Sequence, residues 1–462
     1  MPPIRRPHRM RAGAAMLTLA ALLPLTATAA DAAVPATAAT NATGAGGRSA
    51  TGATGPESTP QGQRAPSGAS RKSGAARPTG EIRAARRATF YTPPPNPGAL
   101  EQIADLTAQG RRPLARKLTA MTETPQAVWI TQYAGTELTA LIRTHVRRAA
   151  RQRSTPVFVA YNVPFRDCGA YSSGGARSVA EYEAWIDAFA AGIGSTRAVV
   201  MLEPDSLGII PWYTDINGNA EWCKPAEADP VTAQRDRFAM LNYAVDRFKA
   251  LRRTNVYLDG TNSNWLSSGD AADRLVRAGV LRADGFFLNV SNFEATPRLL
   301  KYGTWTAKCV YYGTHGGAFR DCASQYHPAD PADFSTWTRS DAWYDATVGT
   351  VSPDRLPHFV LDTSRNGRGS WTPPAGSAWP DPMTWCNPPD RGLGLRPTSR
   401  TGNELADAFL WIKIPGESDG QCDRGTGTGL DPARGNTADP AAGAWFPGQA
   451  VELVRLANPP LR

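Results

Sequence analysis

Seven short apolar runs, separated by longer stretches with a helical pattern, constrain the fold of this 462-residue chain. Short runs rich in β-branched and aromatic residues that alternate with helical patterns predict βα units and a parallel sheet. The predicted strands are Ala127–Ile130, Val157–Tyr161, Ala198–Leu202, Val256–Leu258, Gly285–Leu288, His358–Leu361 and Ala408–Ile412. The predicted helices include Thr136–Gln152, Val179–Gly192, Pro230–Arg252 and Ala271–Ala278. The sequence therefore predicts the α/β class.

Polar side chains follow these strands. They are Asn162 and Asp167, Glu203 and Asp205, Asp259, Asn289, Asp362, and finally Lys413 and Glu417. In a parallel barrel the carboxyl ends of the strands share one face, so residues that are distant in sequence converge there. A single strand-terminal Asp is more often a helix cap than a catalyst, but the repetition along the chain indicates an active-site face.

The segment Glu203-Pro204-Asp205 directly follows the apolar run that ends at Leu202. A carboxyl held on a rigid, partly desolvated strand end has the raised pKa that a general acid needs, which makes Asp205 the candidate acid. Asp167, which follows another apolar run, is the second acid expected nearby. The alternative is that the tripeptide merely ends a strand and caps the next helix.

Tryptophans accompany these acids at or just after the inferred strands. Trp129, Trp265 and Trp385 are the candidates, because a flat indole can stack on the apolar face of a sugar ring. Each of them could instead be a core residue or fill a loop.

The first 88 residues have a different composition from the rest. Arginines, the apolar run Ala14–Leu23 and the small residues Ala27-Thr28-Ala29 predict a secretory signal peptide over residues 1–29, too short for a membrane span. Residues 30–88 contain almost no large apolar residue, which predicts a disordered tail. Residues 89–462 are then the catalytic domain.

The net charge of +9 is concentrated in the tail. Residues 1–88 hold 12 of the 50 basic and 3 of the 41 acidic residues, which leaves 38 of each in the folded part. This distribution argues against a nucleic-acid partner. The six cysteines of an exported chain predict disulfides, and the scattered histidines argue against a catalytic metal.

Two other function classes have some support in the sequence. Gly416-Glu417-Ser418-Asp419-Gly420 fits the Gly-x-Ser-x-Gly pattern of serine esterases, but no histidine follows it in the chain. A non-catalytic carbohydrate-binding protein would account for the tryptophans and the secretion, but not for the concentration of carboxylates, which are costly to bring together.

Six blocks in order resemble glycoside hydrolase family 6, the secreted cellulases of the endoglucanase and cellobiohydrolase type. The blocks begin at Tyr161, Glu203, Asn289, Asp362, Trp385 and Trp411. The resemblance implies a distorted seven-stranded parallel α/β barrel, TIM-like and in one catalytic domain. It also implies inverting hydrolysis of β-1,4-glucan without a metal or other cofactor.

The resemblance further implies roles for individual residues. Asp205 is similar to the proton donor, Asp167 to the neighbour that keeps the pKa of the donor high, and Asp419 to the disputed base. Supporting positions are Tyr161, Arg166 and Ser173, and substrate-binding positions are Trp129, Asp259, Trp265, Asn289, Trp385, Lys413 and Glu417. The implied disulfides are Cys168–Cys223 and Cys386–Cys422, and the two remaining cysteines, Cys309 and Cys322, then pair.

The chain also departs from the family pattern. Asn262 stands where the family usually has histidine, and the segment Trp305–Gly349 is longer than expected. The stretch Asp423–Ala444 is intermediate between the short loop of endoglucanases and the long roof of cellobiohydrolases. We expect a secreted, extracellular monomer that cleaves β-glucan internally. Cellobiohydrolase action and another β-linked polysaccharide are the alternatives.

Overall fold

A computed structural model of the chain describes residues 89–131, 133–326 and 330–461. The predicted signal peptide and tail lie outside the described residues. Within the described part, seven strands form one sheet, in the order of the chain: β1 Val128–Ile130, β2 Val157–Ala160, β3 Ala198–Leu202, β4 Thr254–Asp259, β5 Gly285–Leu288, β6 His358–Asp362 and β7 Ala406–Leu410. All neighbouring pairs are parallel. The seven predicted strands are thus confirmed.

Helices connect the strands and pack outside the sheet. They are α1 Pro97–Ala108, α2 Arg112–Thr122, α3 Gly135–Arg151, α4 Val179–Ile193, α5 Ala233–Lys249, α6 Ser268–Arg277, α7 Thr296–Thr314, α8 Thr338–Thr347 and α9 Pro447–Arg455. The four helices predicted from the sequence correspond to α3, α4, α5 and α6. None of the helices in the described ranges is long and apolar enough to cross a membrane.

Alternate residues of each strand enter two different cores, as the pleat of a β-strand requires. In β3, Val199 and Met201 point to the inside of the barrel, whereas Val200 and Leu202 pack against the helices outside. Every strand residue of β3 is buried. This double burial explains why the strands read as continuous apolar runs in the sequence.

The sheet curls so strongly that β1 contacts the segment that follows β7. The backbone N–H of Ala127 donates to the carbonyl of Trp411 at 2.9 Å, and the indole N–H of Trp129 donates to the carbonyl of Ile412 at 2.7 Å. These two contacts bring the segment after β7 beside β1. The result is a strongly curled parallel sheet whose carboxyl strand ends share one face.

Disulfides fix the loops on that face and one helix outside it. The bonds are Cys168–Cys223, Cys309–Cys322 and Cys386–Cys422, which confirms the predicted pairing. Cys168 lies next to Asp167, and Cys422 lies three residues after Asp419. The unexpectedly long segment after Trp305 contains the end of α7, the Cys309–Cys322 bond and α8.

Candidate active site

The turn after β3 carries Asp205 on a constrained backbone. Glu203 and Asp205 have φ angles of 55° and 64°, in the left-handed region that favours glycine. Non-glycine residues in this region cost of order 1 kcal/mol or more each and concentrate at functional sites. The turn is held in place by Arg237 from α5, whose guanidinium donates to the carbonyls of Ser206 and Ile209 at 2.8 Å each.

Glu203 and Asp205 have different environments although one residue separates them. Glu203 is fully buried, and its Oε2 accepts from the backbone N–H groups of Asn162 and Val163 at 2.7 and 3.0 Å. It therefore fixes the loop after β2. Burial raises the pKa of Glu203 to about 7 in spite of these hydrogen bonds. Asp205 instead faces a small pocket that is also lined by Tyr161, Arg166 and Asp167.

Asp205 is surrounded by negative charge. Burial is the largest cause that raises its pKa well above the ordinary value, followed by the charges of Asp259, Asp167 and Asp419. The predicted neighbour Asp167 contributes, but Asp259 contributes more. A carboxyl in this setting stays protonated at a pH where ordinary carboxyls are ionised, which is the state that a general acid needs.

Asp167 lies in the loop after β2, on backbone with φ of 57°. Its Oδ2 accepts from the N–H of Ser172 at 2.8 Å. Burial raises the pKa of Asp167, while that hydrogen bond and the charge of Arg166 oppose the rise. Asp167 and Asp205 line the same pocket, so the structure brings together the two acids predicted from the sequence.

Arg166 braces the loop that carries Asp167. Its guanidinium and Nε donate to the backbone carbonyls of Tyr161, Ser172 and Ser173 at 2.6, 2.7 and 3.1 Å. The same guanidinium lies over the Tyr161 ring, 4.6 Å from its centroid. Gly175 allows the loop to close, because a Cβ there would lie 1.9 Å from the Val163 carbonyl oxygen. Ser173 is exposed, and its supporting role remains a prediction.

Asp419, in the loop after β7, has positively charged neighbours, whereas Asp205 has negatively charged ones. Its Oδ2 accepts from Arg365 Nη1 at 2.8 Å and from the backbone N–H of Asn387 at 3.0 Å. Burial pushes the pKa of Asp419 up, but the charges of Arg365 and Lys413 and these hydrogen bonds outweigh burial and lower it. The other oxygen, Oδ1, lies 3.5 Å from Lys413 Nζ and makes no hydrogen bond within the described residues.

Asn387 connects Asp419 to the rest of its loop. In addition to the contact from its backbone, its side-chain oxygen accepts from the N–H of Asp419 at 2.8 Å. Its amide nitrogen donates to Ser418 Oγ, the Gly420 carbonyl and Asp439 Oδ2, each at 2.9 Å. Neither Arg365 nor Asn387 was assigned a role from the sequence. Both residues lie in blocks that carry the family resemblance, Arg365 in the block that begins at Asp362 and Asn387 in the block that begins at Trp385.

The three predicted stacking residues have different neighbours. Trp129 meets the Tyr161 ring edge-on at 5.6 Å between centroids, and the Trp265 ring packs against Gly208, three residues after Asp205. Trp385 is 37% exposed and lies 6.1 Å from the Tyr171 ring, tilted by 47°. Trp385 is therefore the most accessible of the three as a sugar platform.

Lys413 and Glu417 lie beside Asp419 in the loop after β7. Lys413 donates to the carbonyl of Ser418 at 3.1 Å, and burial lowers its pKa. Glu417 Oε1 accepts from the amide of Asn96 at 2.9 Å. Asn96 also caps α1, so the segment before α1 contributes to the site, which the sequence did not indicate.

Two of the predicted substrate-binding residues are buried and hydrogen-bonded within the protein, and their binding roles remain predictions. Asn289 is fully buried, donates to the Asp362 carbonyl and accepts from the Glu294 N–H, each at 2.9 Å. Asp259 is 2% exposed and accepts from the N–H groups of Thr261 and Leu207. Burial raises the pKa of Asp259 to about 6, and its charge acts on Asp205.

Asn262, which stands in place of the expected histidine, is buried and forms a local turn. Its side-chain oxygen accepts from the N–H of Asn264 at 2.8 Å. An amide oxygen two residues before a backbone N–H is the usual arrangement of an Asx turn. Asn262 thus shapes the loop that presents Trp265.

Comparisons with known proteins agree with this architecture. The family model described as "Glycosyl hydrolases family 6" matches residues 85–457. Endoglucanase 1 from Streptomyces halstedii is 35% identical over 337 residues, which are 72% of this chain and 79% of that protein. Probable 1,4-beta-D-glucan cellobiohydrolase C from Neosartorya fischeri is 31% identical over 377 residues, with 75% and 72% covered.

Solved structures give the same result. The endoglucanase Cel6 from Mycobacterium tuberculosis, solved in complex with methyl-cellobiosyl-4-deoxy-4-thio-beta-D-cellobioside, superposes with a TM-score of 0.56 and 31% sequence identity. The match covers 80% of this chain and 97% of that one. Some relatives are longer, and the chain spans 55% of the length of Endoglucanase A from Cellulomonas fimi, to which it is 31% identical.

Proposed function

Because the chain belongs to the glycosyl hydrolases of family 6, we propose that it hydrolyses β-1,4-glucosidic bonds in cellulose or a related β-glucan, with Asp205 as the general acid. The observation that carries this proposal is the contrast between two carboxyls on one face of the barrel. Burial and then neighbouring negative charges raise the pKa of Asp205, whereas the charges of Arg365 and Lys413 outweigh burial and lower the pKa of Asp419. Two titratable groups whose surroundings shift their pKa values in opposite directions are typical of a general acid and a general base.

In the proposed reaction, the Asp205 proton passes to the glycosidic oxygen as the bond from that oxygen to the anomeric carbon breaks. A water molecule attacks the anomeric carbon from the opposite face and gives its proton to a carboxylate, so the configuration inverts. Asp167 maintains the high pKa of Asp205 by its like charge.

We assign the base role to Asp419, acting directly or through a chain of water molecules. Its carboxylate is ionised, and its Oδ1 lacks a hydrogen-bond donor within the described part of the chain, which supports the assignment. The Arg365 ion pair that lowers its pKa keeps the carboxylate ionised and also makes it a weak base.

Internal cleavage is the proposed mode, supported by the endoglucanases among the relatives. One observation favours cellobiohydrolase action as the second candidate. The Tyr171 ring in the loop after β2 packs on Gly420 in the loop after β7, where a Cβ would lie 2.4 Å from Tyr171 Cγ. Two loops that meet across the cleft narrow it and would hinder entry in mid-chain.

Export is also part of the proposal. Three disulfides among the described residues suit an oxidising compartment, because such bonds rarely persist in the cytosol. The proposal also includes the domain boundaries predicted from the sequence, with residues 89–462 as the catalytic domain.

Product analysis tests the function and the mode together. The purified chain is incubated with carboxymethyl-cellulose, mixed-linkage β-glucan and cello-oligosaccharides, with Asp205→Asn as the inactive control. Proton NMR should detect the α-anomer as the first product. A rapid fall in viscosity would indicate internal cleavage, whereas disaccharide release with little loss of viscosity would indicate the second candidate. Absence of hydrolysis on every β-glucan would refute the proposal.

A further inference from the structure

Arg237, on α5, is a buried arginine whose hydrogen bonds hold backbone rather than a carboxylate. It is 2% exposed and is among the residues that line the small pocket of Asp167 and Asp205. Burial lowers the pKa of Arg237 to about 10, so the guanidinium stays charged at neutral pH. Its three hydrogen bonds within the described residues all go to backbone carbonyls. A buried charge is costly, so the carbonyls that it holds are of interest.

These carbonyls belong to the two loops that carry the acids. Nη1 donates to Ser206 and Ile209 in the turn after β3, at 2.8 Å each, and Nη2 donates to Pro164 in the loop after β2 at 2.9 Å. Ser206 directly follows Asp205. A guanidinium is planar and its N–H groups have fixed relative directions, so the three bonds constrain the carbonyls relative to one another. Arg237 therefore joins the two loops to each other and to α5.

Glu203 makes the complementary link from the start of the turn after β3. Its Oε2 accepts from the N–H groups of Asn162 and Val163, and Pro164, whose carbonyl Arg237 holds, is the next residue. Burial dominates the pKa of both Glu203 and Arg237, but each also interacts with the charge of the other. The titratable groups whose charges act on Arg237 are Glu203, Tyr182, Tyr161 and Asp259. A carboxylate thus holds the N–H groups of the loop after β2, and a guanidinium holds its carbonyl.

The separation of the two loops affects Asp205. Burial is the largest cause of its raised pKa, and the charges of Asp259, Asp167 and Asp419 follow. The charge of Arg237 is not among these causes. The effect of a like charge falls with distance. At an effective dielectric constant of about 20, moving a charge from about 5 Å to about 7 Å changes a pKa by roughly 0.7.

We propose that Arg237 is a positioning residue, which sets the separation of Asp167 and Asp205 by holding both of their loops in one rigid contact. The inference rests on the proposed β-glucan hydrolysis and deepens it. Arg237 acts through the two backbones rather than on the substrate. When the contact is lost, the loops separate and the charge of Asp167 acts less on Asp205. The Cys168–Cys223 bond still joins the loop after β2 to the segment after β3, which keeps the path of the chain.

Arg237→Lys and Arg237→Met separate position from charge. Lysine keeps the charge but lacks the planar fork, and methionine removes both. Arg391→Lys is the matched control. Arg391 is also buried, and its hydrogen bonds within the described residues likewise go to backbone carbonyls, those of Pro389, Gly369 and Ser370. These carbonyls lie outside the loops after β2 and β3.

Both Arg237 variants should lose about tenfold in kcat on cellohexaose, because a small misplacement of a reacting group is costly, while KM stays near the parent value. The alkaline limb of the pH–rate profile reports ionisation of the general acid. It should move to lower pH by about half a unit in both variants. In the Asp167→Asn background, Arg237→Lys should cause no further shift, because the charge whose distance Arg237 sets is gone. Arg391→Lys should keep the parent kcat and pH profile even where its melting temperature falls.

Two other roles of Arg237 give different results. If Arg237 acted through its charge alone, Arg237→Met would move the alkaline limb to higher pH and Arg237→Lys would leave it in place. If Arg237 only stabilised the fold, both variants would melt at lower temperature with the parent kcat and pH profile. Either pattern would overturn the proposal. If Arg237→Met does not fold, Arg237→Lys decides alone, because only a loss of positioning moves the limb when the charge is kept.

Infrared titration separates this inference from the proposed function, since it needs no substrate. The difference spectrum between the parent protein and Asp205→Asn identifies the carboxyl band of Asp205. The titration midpoint of this band should be lower in Arg237→Lys than in the parent. A lower midpoint supports the positioning role even if the chain hydrolyses no glucan, and an unchanged midpoint overturns it.

Discussion

The ion pair between Arg365 and Asp419 is buried, and its burial sets the loss of stability expected when the pair is broken. The Arg365 and Asp419 side chains are 0% and 4% exposed, and the pair is 2.8 Å long. Arg365→Met keeps much of the side-chain length and removes the charge. Breaking a buried pair by removing one partner costs about 3 to 5 kcal/mol, because the remaining charge is left in a poor environment. Since Lys413 stays 3.5 Å from Asp419, we expect the lower end, about 3 kcal/mol.

Urea unfolding of Arg365→Met, Asp419→Asn and the double variant measures this energy. The free energy of unfolding should fall less in the double variant than the two single-variant losses add up to, because neither buried charge remains in the double variant. The pKa of Asp419 is lowered in the folded state, so its stabilisation is present above the ordinary carboxyl pKa and is lost as the pH falls through the lowered value. The stability gap between the parent protein and Arg365→Met should therefore narrow in acid.

The same variant tests the role of Asp419 in catalysis. Without Arg365 the pKa of Asp419 rises, so the acidic limb of the kcat profile should move to higher pH. A loss of stability below about 1 kcal/mol, or additive single and double variants, would refute the reasoning about the buried pair.

Three further predictions concern the pKa of Asp205, the N-terminal boundary of the folded part of the chain, and Trp385. Asp259→Asn should move the alkaline limb of the pH–rate profile to lower pH by more than Asp167→Asn does, since Asp259 has the larger charge effect on Asp205, the proposed acid. Equal or reversed shifts would contradict this ranking. Deleting residues 1–88 should leave turnover of a soluble oligosaccharide unchanged, whereas deleting residues 1–96 should reduce it by removing Phe90 from the core and Asn96 from Glu417. Trp385→Ala should weaken cello-oligosaccharide binding by about 1 kcal/mol, roughly fivefold, in calorimetry, and an unchanged affinity would exclude it as a platform.

The strands could be predicted because their cause is local in sequence. A strand that is buried on both faces has to be apolar at nearly every position, and β3 is found at the predicted residues. The last strand was placed two residues too late, at Ala408–Ile412 instead of Ala406–Leu410. The reason is that Trp411 and Ile412 are equally apolar, but their carbonyls accept from Ala127 and Trp129 on the β1 side, and the backbone pairing with β6 ends at Leu410.

The electrostatics of the site could be predicted only in part. The position of Asp205 after a buried strand indicated a raised pKa, and the structure agrees on the direction. The larger effect of Asp259 depends on how closely two strand-end turns approach, which the sequence does not specify. Likewise, Arg365 is 54 residues before its partner Asp419, and only the paths of the intervening loops bring the two together.

The turnover of Asp205→Asn on two classes of substrate tests the central claim most directly. The amide keeps the shape of the side chain and lacks the transferable proton. On an unactivated cello-oligosaccharide, kcat should fall by about 10²- to 10⁴-fold, whereas an aryl cellobioside with a good leaving group should lose much less, because its departure needs no proton. Oligosaccharide binding should be nearly unchanged. Near-normal turnover of the unactivated substrate by Asp205→Asn, together with an inactive Asp419→Asn or Glu203→Gln, would contradict the assignment of Asp205 as the acid.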